Sequence, residues 1–430
     1  MNARDWALLE LDARRLPGWK PNAIPNQRDR SPPADPRDLG LAEHITIGVV
    51  KNHTLLLHLI QAHSGRQLRQ IDLLVQKILA IALYQLRFMD RIPASAAVDE
   101  AVEQCRRFGR ARAAGFANAV LRNATRQPDV PLPDGQLDPE AHAAIALSHP
   151  PELFRRLTRI MNNDDALAFC RHDNAEPPTL VRLFRGVSVD RLATDGVSIT
   201  PHEQEGIYVV SGAKRAQIES WARQGLAQVQ DATSARAVDR MDLRPGQRVL
   251  DRCSGLGTKT LQMRERVGPV GAIVAVDPSP QRCAGLRAML AARGIENVAV
   301  YQVAMLRDVP SNDRGSFDRI LIDAPCSNSG VLARRPEARY AQDERSLRPL
   351  ERLQRDILDD TAACLVAPGG VLVYSTCSVW PEENGDQVRA FVARHPGYEL
   401  LDARDTLPSF RESDPARYHD GGFIAILRRN

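Results

Sequence analysis

Ile320-Leu321-Ile322-Asp323-Ala324-Pro325-Cys326-Ser327 decides how the C-terminal half of this chain folds. A short apolar run with β-branched residues, closed by a proline, reads as a buried β-strand whose end is set where the ring removes a ladder donor. The pattern recurs in Val371-Leu372-Val373-Tyr374-Ser375-Thr376-Cys377-Ser378. An amphipathic stretch from Pro349 to Val366 separates the two and reads as a crossover helix, so the strands are expected to be parallel neighbours. In an open α/β sheet, ligands sit beyond the carboxyl ends of the strands, and both cysteines fall there. Either one alone would pass for a small buried hydrophobe. Two at neighbouring strand ends are candidates for chemistry.

Outward from this pair, strand and helix patterns alternate from Asp231 onward. Strands are expected at Arg248 to Cys253, Ala272 to Asp277, Val298 to Val303, Arg319 to Ala324, Gly370 to Thr376 and Phe423 to Leu427. Such alternation implies a Rossmann-like, doubly wound α/β domain over residues 231–430. The first strand runs into Asp251-Arg252-Cys253-Ser254-Gly255-Leu256-Gly257-Thr258-Lys259-Thr260, a turn of small residues that opens a helix. Its glycines let a ligand approach the backbone, and the helix start offers free N–H groups. Asp277 ends the second strand, where a carboxylate can hold the two hydroxyls of a ribose. A plain structural turn would have the same residues. A nicotinamide dinucleotide also suits Gly255 and Gly257, but Thr260 stands where its third glycine belongs.

The N-terminal part differs in character. Residues 21–38 are rich in proline and polar groups and read as a loop. After it, apolar residues recur at three and four positions, as in Ile71, Leu74, Ile78, Ala82 and Leu86. This predicts an all-α bundle within residues 1–140. Residues 145–230 mix helical and β-like runs and are expected to form a small α+β connecting module.

At 430 residues, with 43% hydrophobic content, the chain is long enough for two or three cores. Fifty-seven basic against fifty-three acidic residues leave a charge of +4, which permits nucleic acid without arguing for it. Only five of the basic residues are lysines, so Lys259 in the glycine turn draws notice. Seven scattered cysteines, without metal-ligand spacing, speak for reduced thiols in the cytoplasm and against a disulfide framework or metal site. No apolar run is long enough for a membrane span.

Four segments carry a family resemblance: Asp323-Ala324-Pro325-Cys326-Ser327, Tyr374-Ser375-Thr376-Cys377-Ser378, Pro381-Glu382-Glu383-Asn384 and Val229-Gln230-Asp231-Ala232-Thr233-Ser234. They resemble the Fmu/Sun (RsmB-like) branch of the RNA cytosine-5 methyltransferases. Ala97-Val98-Asp99-Glu100-Ala101-Val102 and Asn118-Ala119-Val120-Leu121-Arg122 are similar to the NusB-like RNA-binding domain of those enzymes.

The resemblance implies S-adenosylmethionine as methyl donor and a cytosine of ribosomal RNA, from the small-subunit 16S molecule, as acceptor, in a chain expected to be monomeric. Cys377 would be the nucleophile that adds to carbon 6 of the base, and Cys326 would assist its release. Asp323 would bond the base at N3 and also face the cofactor. Cofactor contacts are expected from Cys253, Ser254, Gly255, Leu256, Gly257, Thr258, Lys259, Asp277 and Ala304. Arg334 and Arg335 are expected phosphate contacts.

Three departures from the family pattern surround one ligand. Leu256 and Thr258 replace a proline and a glycine of the cofactor loop, and a β-branched Thr258 would tolerate a positive φ poorly. Ala304-Met305 stand where an acidic residue is expected after the third strand. Asn328 replaces a glycine beside Cys326. They raise an alternative reading, an RNA-binding paralogue that has lost methyl transfer and acts in ribosome assembly.

Overall fold

A computed structural model describes residues 1–21, 24, 31–312, 317–364 and 369–430. Most of the proline-rich loop and the end of the expected crossover at Val366 lie outside the described residues. The chain forms two compact units. The first comprises Met1–Ala175 with Arg335–Asp343, and the second Glu176–Arg334 with Glu344–Asn430.

The first unit is helical: α1 (Ala3–Ala13), α2 (Pro36–Lys51), α3 (His53–Ser64), α4 (Leu73–Phe88), α5 (Ala94–Arg107), α6 (Ala114–Arg126), α7 (Pro139–Ile145), α8 (Pro151–Leu157) and α9 (Asn163–Asn174). Side-chain caps start several of them. Asn2, Asp35, Asp72, Asp138 and Asn162 each accept a backbone N–H of the first turn. Helix α4 is buried without a break from Leu74 to Gln85 and forms the axis of the bundle. Two changes to the sequence reading follow. A helix, α1, precedes the proline-rich segment, although helical periodicity was expected only after it. The three helices after residue 138 pack with the bundle and not with the strands that follow them.

Charged groups inside this unit are paired. Lys77 Nζ lies 2.5 Å from Asp12 Oδ1, with both side chains fully buried. The short segment Arg335–Asp343 is held by a fully buried Arg339, which donates to Lys51 O (3.0 Å) and Asn174 Oδ1 (2.8 Å). Tyr340 Oη adds a bond to Val50 O at 2.8 Å.

The second unit has two sheets. The smaller one joins β1 (Thr179–Leu183), β2 (Ser198–Pro201), β3 (Ile207–Ser211) and, after α10 (Arg215–Arg223), β4 (Ala227–Val229), in the order β2-β3-β1-β4. Next come α11 (Ala232–Asp239), β5 (Arg248–Asp251), α12 (Thr258–Val267), β6 (Ala272–Val276), α13 (Pro280–Ala292), β7 (Val298–Tyr301) and β8 (Arg319–Asp323). The chain closes with α14 (Glu344–Thr361), β9 (Val371–Thr376), α15 (Gly385–Arg394), β10 (Tyr398–Thr406) and β11 (Gly422–Arg429). The larger sheet has the order β10-β11-β9-β8-β5-β6-β7, parallel from β9 to β7, with β11 and β10 antiparallel at one side.

Side-chain alternation sorts its central strands between two cores. Ile320, Ile322, Leu372 and Tyr374 pack with Ile357 and Leu358 of α14 and Phe391 of α15. Leu321 and Val373 point the other way, towards Val238, Leu261 and Leu286. A strand buried on both faces is why the sequence shows unbroken apolar runs here. β10 was not anticipated, because its charged and apolar residues follow no regular alternation and it lies mostly exposed at the sheet edge.

Candidate active site

Strands β8 and β9 are adjacent and parallel, with Asp323 opposite Ser375. The ladder continues past both strand ends through Ala324 N to Ser375 O (2.8 Å), and Gly330 N bonds Cys377 O (2.9 Å). This brings Cys326 Sγ to 3.0 Å from Cys377 Sγ. Cys326 is buried at 9% exposure and Cys377 is more open. The bond to Cys377 and burial together hold the Cys326 thiol well above its ordinary pKa, so it remains a protonated thiol at neutral pH. Gly330 admits no side chain: a Cβ there would lie 2.6 Å from the backbone of Gly421.

Lys259, in the first turn of α12, meets Asp323 at 2.5 Å. Burial disfavours the ammonium, but Asp323 outweighs it and raises the lysine pKa. The other Asp323 oxygen accepts from Ser375 Oγ at 3.0 Å. Lysine, aspartate and both thiols thus gather at the carboxyl ends of β5, β8 and β9.

Beneath the thiols lies a carboxylate whose role the sequence did not disclose. Glu383 is fully buried. Its oxygens accept from Ser327 N (2.9 Å), Ser327 Oγ (2.5 Å), Ser378 Oγ (2.5 Å) and Gln354 Nε2 (2.9 Å). Ser327 follows Cys326 and Ser378 follows Cys377, so one side chain fastens both cysteine loops. Asn384 completes the tie, accepting from Thr376 Oγ1 (2.6 Å) and donating to Ser378 O (2.9 Å). The available signal was an acidic residue in a Pro-Glu-Glu-Asn run only six positions past a cysteine.

The glycine turn after β5 is an open cradle. Gly255 (φ 56°) and Gly257 (φ 88°) carry the positive angles, and Thr258 is not among the residues that do. The expected strain at Thr258 is therefore absent: it opens the helix, and Gly257 before it makes the turn. A Cβ at Gly255 would meet open space, and Leu256 is 67% exposed. Asp277 is buried and fixes the turn, accepting from Gly255 N (3.1 Å) and Ser279 N (2.8 Å). Asp251 is also buried, and burial pushes its carboxyl up to about 7 while Thr260 Oγ1 donates to it at 2.6 Å. Its other oxygen and the Ser254 hydroxyl are buried with no partner among the described residues. Cys253, pushed by burial to about 12, stays a thiol.

At the far end of the cradle, Arg252 is almost wholly buried. It donates to Ala304 O (2.6 Å) and Asp360 Oδ2 (2.9 Å), and Asp360 accepts from Leu306 N (2.9 Å). The backbone after β7 is thus held by a buried ion pair, where the resemblance led one to look for an acidic side chain on that loop. Arg334 reaches Asp420 (2.8 Å) and Pro178 O (3.3 Å) and lies over the Tyr418 ring. Arg335 is exposed.

Residues 238–427 match the family described as 16S rRNA methyltransferase RsmB/F, and residues 10–126 match the NusB family. A protein of Pseudomonas syringae pv. tomato named Ribosomal RNA small subunit methyltransferase B is 33% identical over 389 residues, covering 89% of this chain and 84% of that protein. The chain belongs to the small-subunit ribosomal RNA methyltransferase B family. Its namesake from Vibrio cholerae is 32% identical over 95% of this chain and 93% of its own length. Among solved structures, that of PH0851 aligns over 100% of this chain and 99% of its own, with a TM-score of 0.76 at 22% identity. NSun6 from Pyrococcus horikoshii aligns over 65% of this chain and 98% of its own, with a TM-score of 0.53 at 18% identity. At these identities the likeness is one of fold.

The cofactor of this methyltransferase is S-adenosylmethionine. The cradle fits that cofactor: its turn leaves open space at Gly255, and a carboxylate oxygen of Asp251 and the Ser254 hydroxyl lie buried and unpaired. Among the described residues, no group of three or more His, Cys, Asp or Glu side chains suits a metal ion, and no helix is long and apolar enough to cross a membrane.

Proposed function

We propose that this protein transfers a methyl group from S-adenosylmethionine to carbon 5 of a cytosine in small-subunit ribosomal RNA, through a covalent bond between Cys377 and carbon 6 of the base. The observation that carries the reading is the 3.0 Å approach of the two thiols beside the Lys259–Asp323 pair. A module that only bound RNA would need neither thiol.

Carbon 5 of cytosine is a weak nucleophile. Addition of the Cys377 thiolate to carbon 6 makes carbon 5 electron-rich, because the ring electrons displaced by the new S–C bond collect there and at N3. In this reading Asp323 shares a proton with N3, which neutralises the electrons that collect there, and Lys259 is the neighbouring cation. When bound, S-adenosylmethionine supplies an electrophilic methyl group on sulfur. After transfer, a water molecule takes the proton on carbon 5, the electrons of that C–H bond restore the C5–C6 double bond, and the S–C6 bond breaks, returning its electrons to Cys377. Cys326, the more buried thiol, is placed for this release step. The base must be unpaired or flipped, since carbon 6 is shielded within a stacked helix. The helical unit, with its NusB-family match, is suited to hold that RNA. Cytoplasmic action as a monomer is part of the reading.

The test is incubation with unmodified 16S RNA and labelled S-adenosylmethionine, followed by nucleoside mass spectrometry. The reading predicts 5-methylcytidine, dependent on Cys377. Label in any other nucleoside, or none with folded protein and competent RNA, would reject it.

A further inference from the structure

Asn328 is one of three non-glycine residues with a positive φ (59°) among the described residues. Its carboxamide joins the two cysteine loops. Nδ2 donates to Cys326 O at 3.1 Å, and Oδ1 accepts from Cys377 Sγ at 3.3 Å. The opposite amide orientation would set Oδ1 against the Cys326 carbonyl oxygen, so the bond to Cys326 fixes which end faces the thiol. A cysteine side chain has three staggered wells about its single torsion. Cys377 Sγ, lodged between Asn328 Oδ1 and Cys326 Sγ, is confined to one of them.

We propose that Asn328 is a positioning residue for Cys377. Its carboxamide holds the thiol in the rotamer that faces the incoming base and directs the hydrogen bonds of the pair, so that Cys377 donates to Asn328 and accepts from Cys326. The inference rests on Cys377 being the nucleophile. Asn328 takes up no proton. It acts by restricting geometry, and reacting atoms held in a near-attack arrangement gain rate without tighter substrate binding.

The left-handed backbone allows a clean test. Glycine adopts φ 59° without strain, so Asn328→Gly removes the carboxamide and leaves the turn. It is expected to lower kcat about five- to tenfold with KM for RNA unchanged, while the two lost carboxamide bonds lower the melting temperature only slightly. In the RNA-free variant, iodoacetamide should alkylate Cys377 several-fold faster, read by peptide mass spectrometry, because its sulfur is no longer held. Asn328→Asp keeps an acceptor and tolerates the turn, but it sets a negative charge beside the attacking sulfur. Its kcat should fall below that of the glycine variant.

An Asn328→Gly protein with wild-type kcat and wild-type alkylation would overturn the proposal and leave Asn328 a turn residue only. Cys377→Ala in the same assay separates the two levels. If it still methylates, the nucleophile assignment fails and this inference with it.

Discussion

Cys326 Sγ and Cys377 Sγ stand 3.0 Å apart at the carboxyl ends of two parallel strands, 51 positions from one another in sequence. Their closeness follows from the register of β8 on β9, and its persistence past the strand ends depends on buried groups behind the two loops. Glu383 is the first of these.

Replacing Glu383 by alanine removes four hydrogen bonds in a buried site; Gln354 Nε2 keeps Pro325 O and the Ser327 hydroxyl keeps Ser329 Oγ, whereas Ser327 N and Ser378 Oγ lose their acceptor. A buried donor without an acceptor costs about 1–3 kcal/mol, so for these two a loss of about 3 kcal/mol is expected in urea unfolding. Glu383→Gln retains volume and one acceptor and should lose less stability, but its kcat should still fall at least tenfold. Wild-type activity in the glutamine variant would show that the carboxylate does not set the cysteine loops.

The thiol pair was legible in the sequence because the runs Ile320-Leu321-Ile322 and Val371-Leu372-Val373 and the crossover between them are local signals. Glu383 was not legible as a tie, since it links the nearby Ser378 to Ser327 and Gln354, which lie far away in sequence and are gathered around it by packing. Arg252 was hidden for the same reason: its partners are Ala304 and Asp360. The edge strand β10 and the transfer of Arg335–Asp343 to the helical unit also arise from tertiary context. Neither has a periodic signature. Thr258 misled because the positive φ it seemed to need belongs to its glycine neighbours.

The Arg252–Asp360 pair should behave as a buried ion pair does. Arg252→Leu alone strands Asp360 and should cost about 3–5 kcal/mol, whereas Arg252→Leu with Asp360→Leu should recover most of that loss. Both variants release the backbone of Ala304, the double variant that of Leu306 as well, and titration calorimetry should show S-adenosylhomocysteine binding about tenfold weaker. Unchanged affinity in the stable double variant would remove this loop from the cofactor site.

Asp251 predicts a pH dependence of stability. Its folded pKa is raised from 3.8 to about 7 by burial. Between these values the folded protein keeps a proton that the unfolded chain gives up, so the contribution of this group to stability falls as pH rises from about 4 to about 7 and is level above. Asp251→Asn removes that dependence. Relative to wild type, the cofactor-free variant should gain about 2–3 kcal/mol between pH 5 and pH 8 in urea unfolding. An equal difference at both pH values would show that Asp251 ionises normally in the folded state.

In the helical unit, Lys77→Met should destabilise by about 3–5 kcal/mol, because the buried Asp12 would lose its counter-ion and keep the Ile24 N–H as a neutral donor. Adding Asp12→Leu should restore much of the loss, as measured by thermal melting. A single variant as stable as wild type would mean that Asp12 finds water or another donor.

The most direct test of the covalent mechanism compares Cys326→Ala with Cys377→Ala after incubation with 16S RNA and S-adenosylmethionine, resolved on a denaturing gel. The Cys326 variant is predicted to carry a covalently bound RNA that persists through denaturation, because attack and transfer proceed while release is slowed. The Cys377 variant is predicted to carry none and to leave the RNA unmethylated. A covalent band with Cys377→Ala, or methylation at carbon 5 without that thiol, would contradict the assignment of Cys377 as the nucleophile.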